Sequence, residues 1–188
     1  FKAIGADTII TGDPDQIRTA DKLILPGVGA FGDAAKKLAD SGLDTVIKEQ
    51  ASKGIPLLGI CLGMQLLFEE SHEYGCHKGL GLIPGQVVPM EGDIPEHLKI
   101  PHIGWNALHF INKDGQNNPL FKYINNNDCV YFVHSYYAKN CEDALIATTE
   151  YGKALTAAVA HNNIFGCQFH PEKSGNVGLN ILRAFCEL

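Results

Sequence analysis

The sequence predicts an α/β protein, a doubly wound, mostly parallel sheet with added antiparallel hairpins, built as a single domain over residues 1–188. Three observations carry this expectation. Strand-like and helix-like patterns alternate from Thr8 to Gly63, as they do where helices cover both faces of a parallel sheet. From Gly79 onward the texture changes to short strand-like runs separated by turn residues, which reads as antiparallel hairpins joined to that core. Between the two regions, the apolar run Pro56–Ile60 meets the helix formers Met64–Glu70 through Gly59-Ile-Cys61-Leu-Gly63, so a strand turns sharply into a helix at a cysteine.

The elements follow in order. Phe1 to Gly5 reads as the last turn of a helix closed by a glycine, so the chain is expected to be N-terminally incomplete, with the first strand of the sheet missing. Thr8–Thr11 is β-branched and predicts a strand, Asp13–Ala20 carries helix-cap chemistry, and Asp21–Leu25 predicts a second strand. That strand runs into Pro26-Gly-Val-Gly-Ala-Phe-Gly32 and a helix from about Asp33 to Leu38; a further helix spans Leu43 to Lys53 and stops at Gly54. Beyond Gly79, strands are expected at 86–90, 105–111, 130–133, 145–151, 155–160 and 164–169, with Asn162-Asn163 turning the last hairpin. A final helix from about Val177 would place Leu179, Leu182 and Phe185 on its buried face, flanked by Ile181 and Leu188.

Composition excludes some function classes. A net charge of −6 with scattered basic residues leaves no nucleic-acid footprint, and no run approaches the roughly 20 apolar residues of a membrane span. The six cysteines form no Cys-x-x-Cys pair and several lie within predicted elements, which fits reduced thiols in the cytoplasm. Ser71–Cys76–His77 brings two histidines and a cysteine close together, but no second cluster completes a tetrahedron, so no metal site and no cofactor is expected.

The chemistry concentrates at Cys61. Gly59-x-Cys61-x-Gly63 has the form of a nucleophile elbow, in which flanking glycines let one strained side chain stand at the sheet's edge. At the start of a helix the thiol pKa would fall from about 8.5 into the range of roughly 3.5 to 7.5, and the first helical amides would face an oxyanion. A buried cysteine is more often packing than nucleophile, so a base is needed. Phe169-His170-Pro-Glu172 supplies one, with an imidazole to take the thiol proton and a carboxylate two residues on to hold its tautomer. Gly27-x-Gly29-x-x-Gly32 lacks the context of a dinucleotide fingerprint; a plain tight turn is one reading, and side-chain-free amides suited to an oxyanion are the preferred one.

These residues resemble the class I, or triad, glutamine amidotransferases, through Gly59-Ile-Cys61-Leu-Gly63-Met-Gln65 and His170-Pro-Glu172. Leu25–Asp33, Pro101-His-Ile-Gly-Trp-Asn106, Tyr131–Tyr136 and Phe169–Ser174 resemble more narrowly the glutaminase subunits of imidazole glycerol phosphate synthases, of histidine biosynthesis. The resemblance implies a flavodoxin-like arrangement and a Cys61-His170-Glu172 triad that hydrolyses glutamine to glutamate and ammonia. It implies oxyanion donors at Val28 or Gly29 and at Leu62, and substrate contacts from Gln65, Ser135 and Tyr136. It implies a heterodimer in which ammonia passes to a (β/α)8-barrel synthase subunit that makes imidazole glycerol phosphate and an aminoimidazole carboxamide ribotide, with Lys173, Trp105 and Asn106 at the interface. Relatives begin with an apolar strand and a Tyr-Gly-x-Gly-Asn loop, and neither is present here. The other readings are a glutaminase of another pathway or a stand-alone cysteine hydrolase, a non-catalytic binding module, and a redox protein.

Overall fold

The computed structural model describes residues 1–112 and 115–188. In chain order its strands are β1 (Leu23–Gly27), β2 (Leu57–Cys61), β3 (Phe68–Ser71), β4 (His77–Lys78), β5 (Ile83–Pro89), β6 (His102–Ala107), β7 (His109–Phe110), β8 (Cys129–His134), β9 (Tyr136–Lys139), β10 (Leu145–Glu150), β11 (Ala154–His161) and β12 (Ile164–Cys167). The α-helices are α1 (Pro14–Arg18), α2 (Phe31–Asp40), α3 (Leu43–Ser52), α4 (Leu62–Gln65) and α5 (Gly175–Cys186). The main sheet has the order β1-β2-β12-β11-β10-β7, parallel across β1, β2 and β12 and antiparallel beyond. A second sheet has the order β4-β3-β5-β9, and β6 pairs β8 apart from both.

Side-chain alternation along the central strands builds a core on each face. Leu57 and Ile164 point to the face covered by Val46, Ile47 and Ala51 of α3, whereas Leu58 and Phe165 point to the face covered by Ile181, Leu182 and Phe185 of α5. Each of these leucines and phenylalanines contributes about 1.5–3 kcal/mol by leaving water. The turn expected at Asn162-Asn163 forms, with Asn162 at φ 54°. Asn163 also donates from Nδ2 to the carbonyls of Ala51 (2.9 Å) and Ile55 (2.8 Å), closing the C-terminal end of α3. Asp13 caps α1 by accepting from the Asp15 amide at 2.9 Å, with Pro14 in the first turn.

Several expectations are corrected. Thr8–Thr11 is not a strand: it pairs with nothing among the described residues and leaves Ile9 67% and Ile10 106% exposed, since β-branched residues are stabilised in strands by a neighbour to pack on. The helix expected over Met64–Glu70 is only the short α4, and Phe68–Ser71 forms β3. Tertiary pairing overrides helix propensity there, because the Leu80 and Gly81 amides bond the Leu66 and Phe68 carbonyls and β5 takes up the strand edge. That β3–β5 pairing is parallel, so not every strand after the elbow belongs to a hairpin. The run 105–111 is broken at Leu108, which is fully buried, and its halves join different sheets through β6 and β7. The helix α5 buries Gly178, Ile181, Leu182, Ala184 and Phe185, and Leu179 is only half-buried.

Candidate active site

The elbow is tight because α4 crosses directly over β1 and β2. A Cβ on Gly63 would lie 1.7 Å from the Leu25 carbonyl oxygen, and one on Gly59 would lie 2.7 Å from Gly63 O and from Met64 N, so neither position admits a side chain. Between them Cys61 is held at φ 54°, ψ −113°, a conformation that costs a non-glycine residue on the order of 1–3 kcal/mol and persists where the surroundings dictate it. The strain aims the thiol out of the turn at the end of β2.

The thiol is not activated in the way the sequence suggests. Burial pushes its pKa up, the Leu62 backbone N–H opposes this, and the charge of Glu172 adds to the rise while Lys173 counters it. A four-residue helix has little dipole to set against desolvation. Thiolate therefore has to form as its proton departs to a base.

β12 runs parallel to β2 with Cys167 opposite Ile60, so the segment leaving β12 emerges at the same sheet edge as Cys61. It carries His170, whose Nδ1 lies 2.7 Å from Glu172 Oε1. An ionised carboxylate only accepts, so Nδ1 holds the proton and Nε2 is the free base. The loop is pinned: the His170 amide donates to Tyr131 O (2.9 Å), Ser174 Oγ donates to His170 O (2.6 Å), and the Tyr131 amide donates to Ser174 Oγ (3.0 Å). His170 is buried while Glu172 is largely exposed.

Around this centre, β1 places Gly27 opposite Cys61, so the turn that follows β1 sits beside that thiol. In it Gly29 adopts φ 99° and Val28 is 82% exposed. Across from the turn, Gln65 donates from Nε2 to the Tyr136 carbonyl at 3.3 Å. Ser135 accepts from the Met90 amide at 2.9 Å, and the ladder between β5 and β9 then leaves the backbone N–H and C=O of Tyr136 facing away from β5. One residue was missed from the sequence. Gln168 is fully buried between Gln65, which donates to its Oε1 at 3.0 Å, and Cys61, whose Sγ lies 3.9 Å from its Nε2. A polar side chain inside the apolar run Ile164–Phe169 was the available signal.

With the geometry in place, comparison with known proteins identifies the relatives. The sequence profile of the class I glutamine amidotransferases matches residues 5–187. The chain belongs to that family. It is 50% identical over 188 residues to the imidazole glycerol phosphate synthase subunit HisH of Lactococcus lactis, covering 100% of this chain and 89% of that one. It is 51% identical to the HisH subunit of Sulfurimonas denitrificans, covering 98% of this chain and 88% of that one. Among solved structures, a crystal structure described as a glutamine amidotransferase superposes with a TM-score of 0.74 at 18% identity, covering 99% of this chain and 88% of that one, a likeness of fold.

On the face of this amidotransferase that carries Lys173, Trp105 is 55% exposed and meets the Tyr131 ring edge-on, with centroids 6.1 Å apart. Lys173 Nζ lies 5.9 Å from the centre of the same ring, so Trp105, Tyr131 and Lys173 share one surface with exposed Ile103. Asn106 does not join them. It accepts from His102 Nε2 at 2.8 Å and donates to Glu150 O at 3.1 Å, so its side chain is turned inward. In the loop with two histidines and a cysteine, His72 and Cys76 both meet the Glu70 carboxylate, His72 also meets Gln86, and His77 packs over Gly32. All six cysteines are free, and no helix among the described residues is long and apolar enough to cross a membrane.

Proposed function

We propose that the chain hydrolyses glutamine to glutamate and ammonia and is the glutaminase subunit of an imidazole glycerol phosphate synthase in histidine biosynthesis. The observation that carries this is the strained Cys61 at a glycine-framed elbow, beside a His170 whose Nδ1 is held by Glu172 at 2.7 Å. In this reading Cys61 Sγ attacks the carboxamide carbon as His170 Nε2 takes the thiol proton. His170 returns that proton to the departing amine as ammonia leaves, and Glu172 supports the imidazolium between the two transfers. Water, activated by the same imidazole, then releases glutamate from the thioester. The amides of Leu62 and of Val28 or Gly29 hold the oxyanion, Gln65 touches the substrate, and the backbone of Ser135 and Tyr136 holds its α-amino-acid end.

Ammonia passes to a (β/α)8-barrel synthase subunit docked on the surface of Trp105, Tyr131 and Lys173, an exposed aromatic patch of the kind that anchors interfaces. The names of the half-identical relatives and the six unpaired thiols support this assignment and a cytoplasmic location. Asn106 would support the docking strand from within rather than touch the partner.

The test is Cys61→Ala in the assembled synthase. Glutamine-dependent synthesis should be lost while synthesis fed with ammonium salt continues at the wild-type rate, since only the ammonia source is removed. Equal loss of both activities would refute the assignment. An electrophilic glutamine analogue should label Cys61 and no other cysteine.

A further inference from the structure

A directed hydrogen-bond chain ends on the nucleophile. Gln65 Nε2 donates to Tyr136 O at 3.3 Å and to Gln168 Oε1 at 3.0 Å, and Gln168 Nε2 donates to Cys61 Sγ at 3.9 Å. A carboxamide is ordinarily open to a flip, because its oxygen and nitrogen are alike in shape. Here a backbone carbonyl removes the choice. Tyr136 O has no hydrogen to give, so the Gln65 group facing it must be the NH2. The second hydrogen of that NH2 faces Gln168, which must therefore present its oxygen, and the Gln168 NH2 is left aimed at sulfur. The Tyr136 carbonyl also accepts from His134 Nδ1 at 2.8 Å, so both its lone pairs are engaged. With Gln168 fully buried and Gln65 nearly so, water does not compete for these groups.

We infer that Gln168 is a donor to the Cys61 nucleophile and, through the same carboxamide, the positioning residue that holds Gln65 with its oxygen toward the substrate. The inference rests on Cys61 as the nucleophile of glutamine hydrolysis. Burial and the Glu172 carboxylate both oppose a charge on this sulfur, while the Leu62 N–H favours it. A fixed neutral donor is a second counterweight, and hydrogen bonds to an ionised acceptor are roughly twice as strong as those to a neutral one. With both Gln65 hydrogens committed, Gln65 offers the substrate an acceptor only.

The experiment follows alkylation of Cys61 by iodoacetamide against pH in the wild type, Gln168→Met and Gln168→Glu. Peptide mass spectrometry reads Cys61 separately, because the exposed thiols of Cys76 and Cys129 are also open to alkylation. The midpoint should rise by about one pH unit in Gln168→Met, and further in Gln168→Glu, whose ionised carboxylate cannot donate and adds a negative charge. The glutaminase kcat should fall by about 10- to 100-fold in both. KM should rise about tenfold in Gln168→Met but stay within about threefold in Gln168→Glu, which still accepts from Gln65. An unchanged midpoint in a folded variant overturns the inference, because a merely structural glutamine would lower thermal stability and leave the titration alone. Should neither variant fold, the wild-type side-chain amide resonance of Gln168 decides: it must titrate with the Cys61 midpoint and stop titrating in Cys61→Ala, and a resonance indifferent to pH overturns the inference. The alkylation midpoint involves no glutamine, so glutamine hydrolysis surviving in Cys61→Ala would refute the nucleophile separately.

Discussion

At the scale of single residues, ionisation at this site is governed by burial. It raises the Cys61 thiol and lowers the basicity of His102 and His134. His134 shows the effect most clearly. Burial pushes its pKa down to about 3, with the charges of His102 and His170 in the same direction and the Tyr136 carbonyl against them. Its folded pKa lies below its unfolded value, so between about 6.5 and about 3 the unfolded chain binds a proton that the folded chain refuses. Stability is therefore full above about pH 6.5 and falls with acid by about 1.4 kcal/mol per pH unit. Lowering the pH from 6.5 to 5.0 should cost about 2 kcal/mol from this residue, and urea unfolding of His134→Gln should lack that component. An equal acid slope in the two proteins would show that His134 is not the group refusing the proton.

At the scale of elements, the decisive contact is α4 on β1. Gly63→Ala would drive a Cβ to 1.7 Å from a backbone oxygen that cannot rotate away, so the helix or the strand must move. A loss of at least about 3 kcal/mol is expected, with glutaminase activity reduced in the remaining folded fraction, because the same displacement turns Cys61. Gly12→Ala is the control: nothing lies within 4 Å of its Cβ position, and denaturant midpoints should differ from wild type by less than about 0.5 kcal/mol. If Gly63→Ala proves as stable as Gly12→Ala, the close approach is not what holds the elbow.

At the scale of the whole molecule, the Cys61 elbow and the turn that follows β1 are differently constrained. Cys61 is locked by packing on both sides, whereas Gly29 has open space around its Cβ position and Val28 is 82% exposed. A turn that glycines free in this way can hold more than one peptide orientation, and one missing oxyanion donor costs on the order of 10²- to 10³-fold in rate. The isolated subunit should therefore turn over glutamine slowly, rising at least about 10²-fold when the barrel partner and its nucleotide ligand are added. Labelling of Cys61 by an electrophile should change far less than turnover. Full glutaminase activity without the partner would refute gating by this turn and leave the proposed roles of Cys61, His170 and Glu172 untouched.

Local chemistry was sufficient for the elbow, the His170–Glu172 pair and the Asn162-Asn163 turn, because each depends on neighbours within a few residues: glycines around Cys61, a carboxylate two places from His170, a turn pair between two apolar runs. The alternation of strands and helices before Gly63 likewise carried the parallel core, since side-chain period is a property of the chain itself. What only the tertiary structure decided involves partners distant in sequence. Phe68–Ser71 becomes a strand because residues 80–87 arrive to pair with it, and Thr8–Thr11 fails to become one because nothing arrives. The sign of the Cys61 shift depends on how deeply the folded chain buries it, and Gln168 becomes a donor because Tyr136 and Gln65, 32 and 103 residues away, orient its carboxamide. Propensity and period are encoded residue by residue; desolvation and hydrogen-bond direction exist only once remote segments share a site.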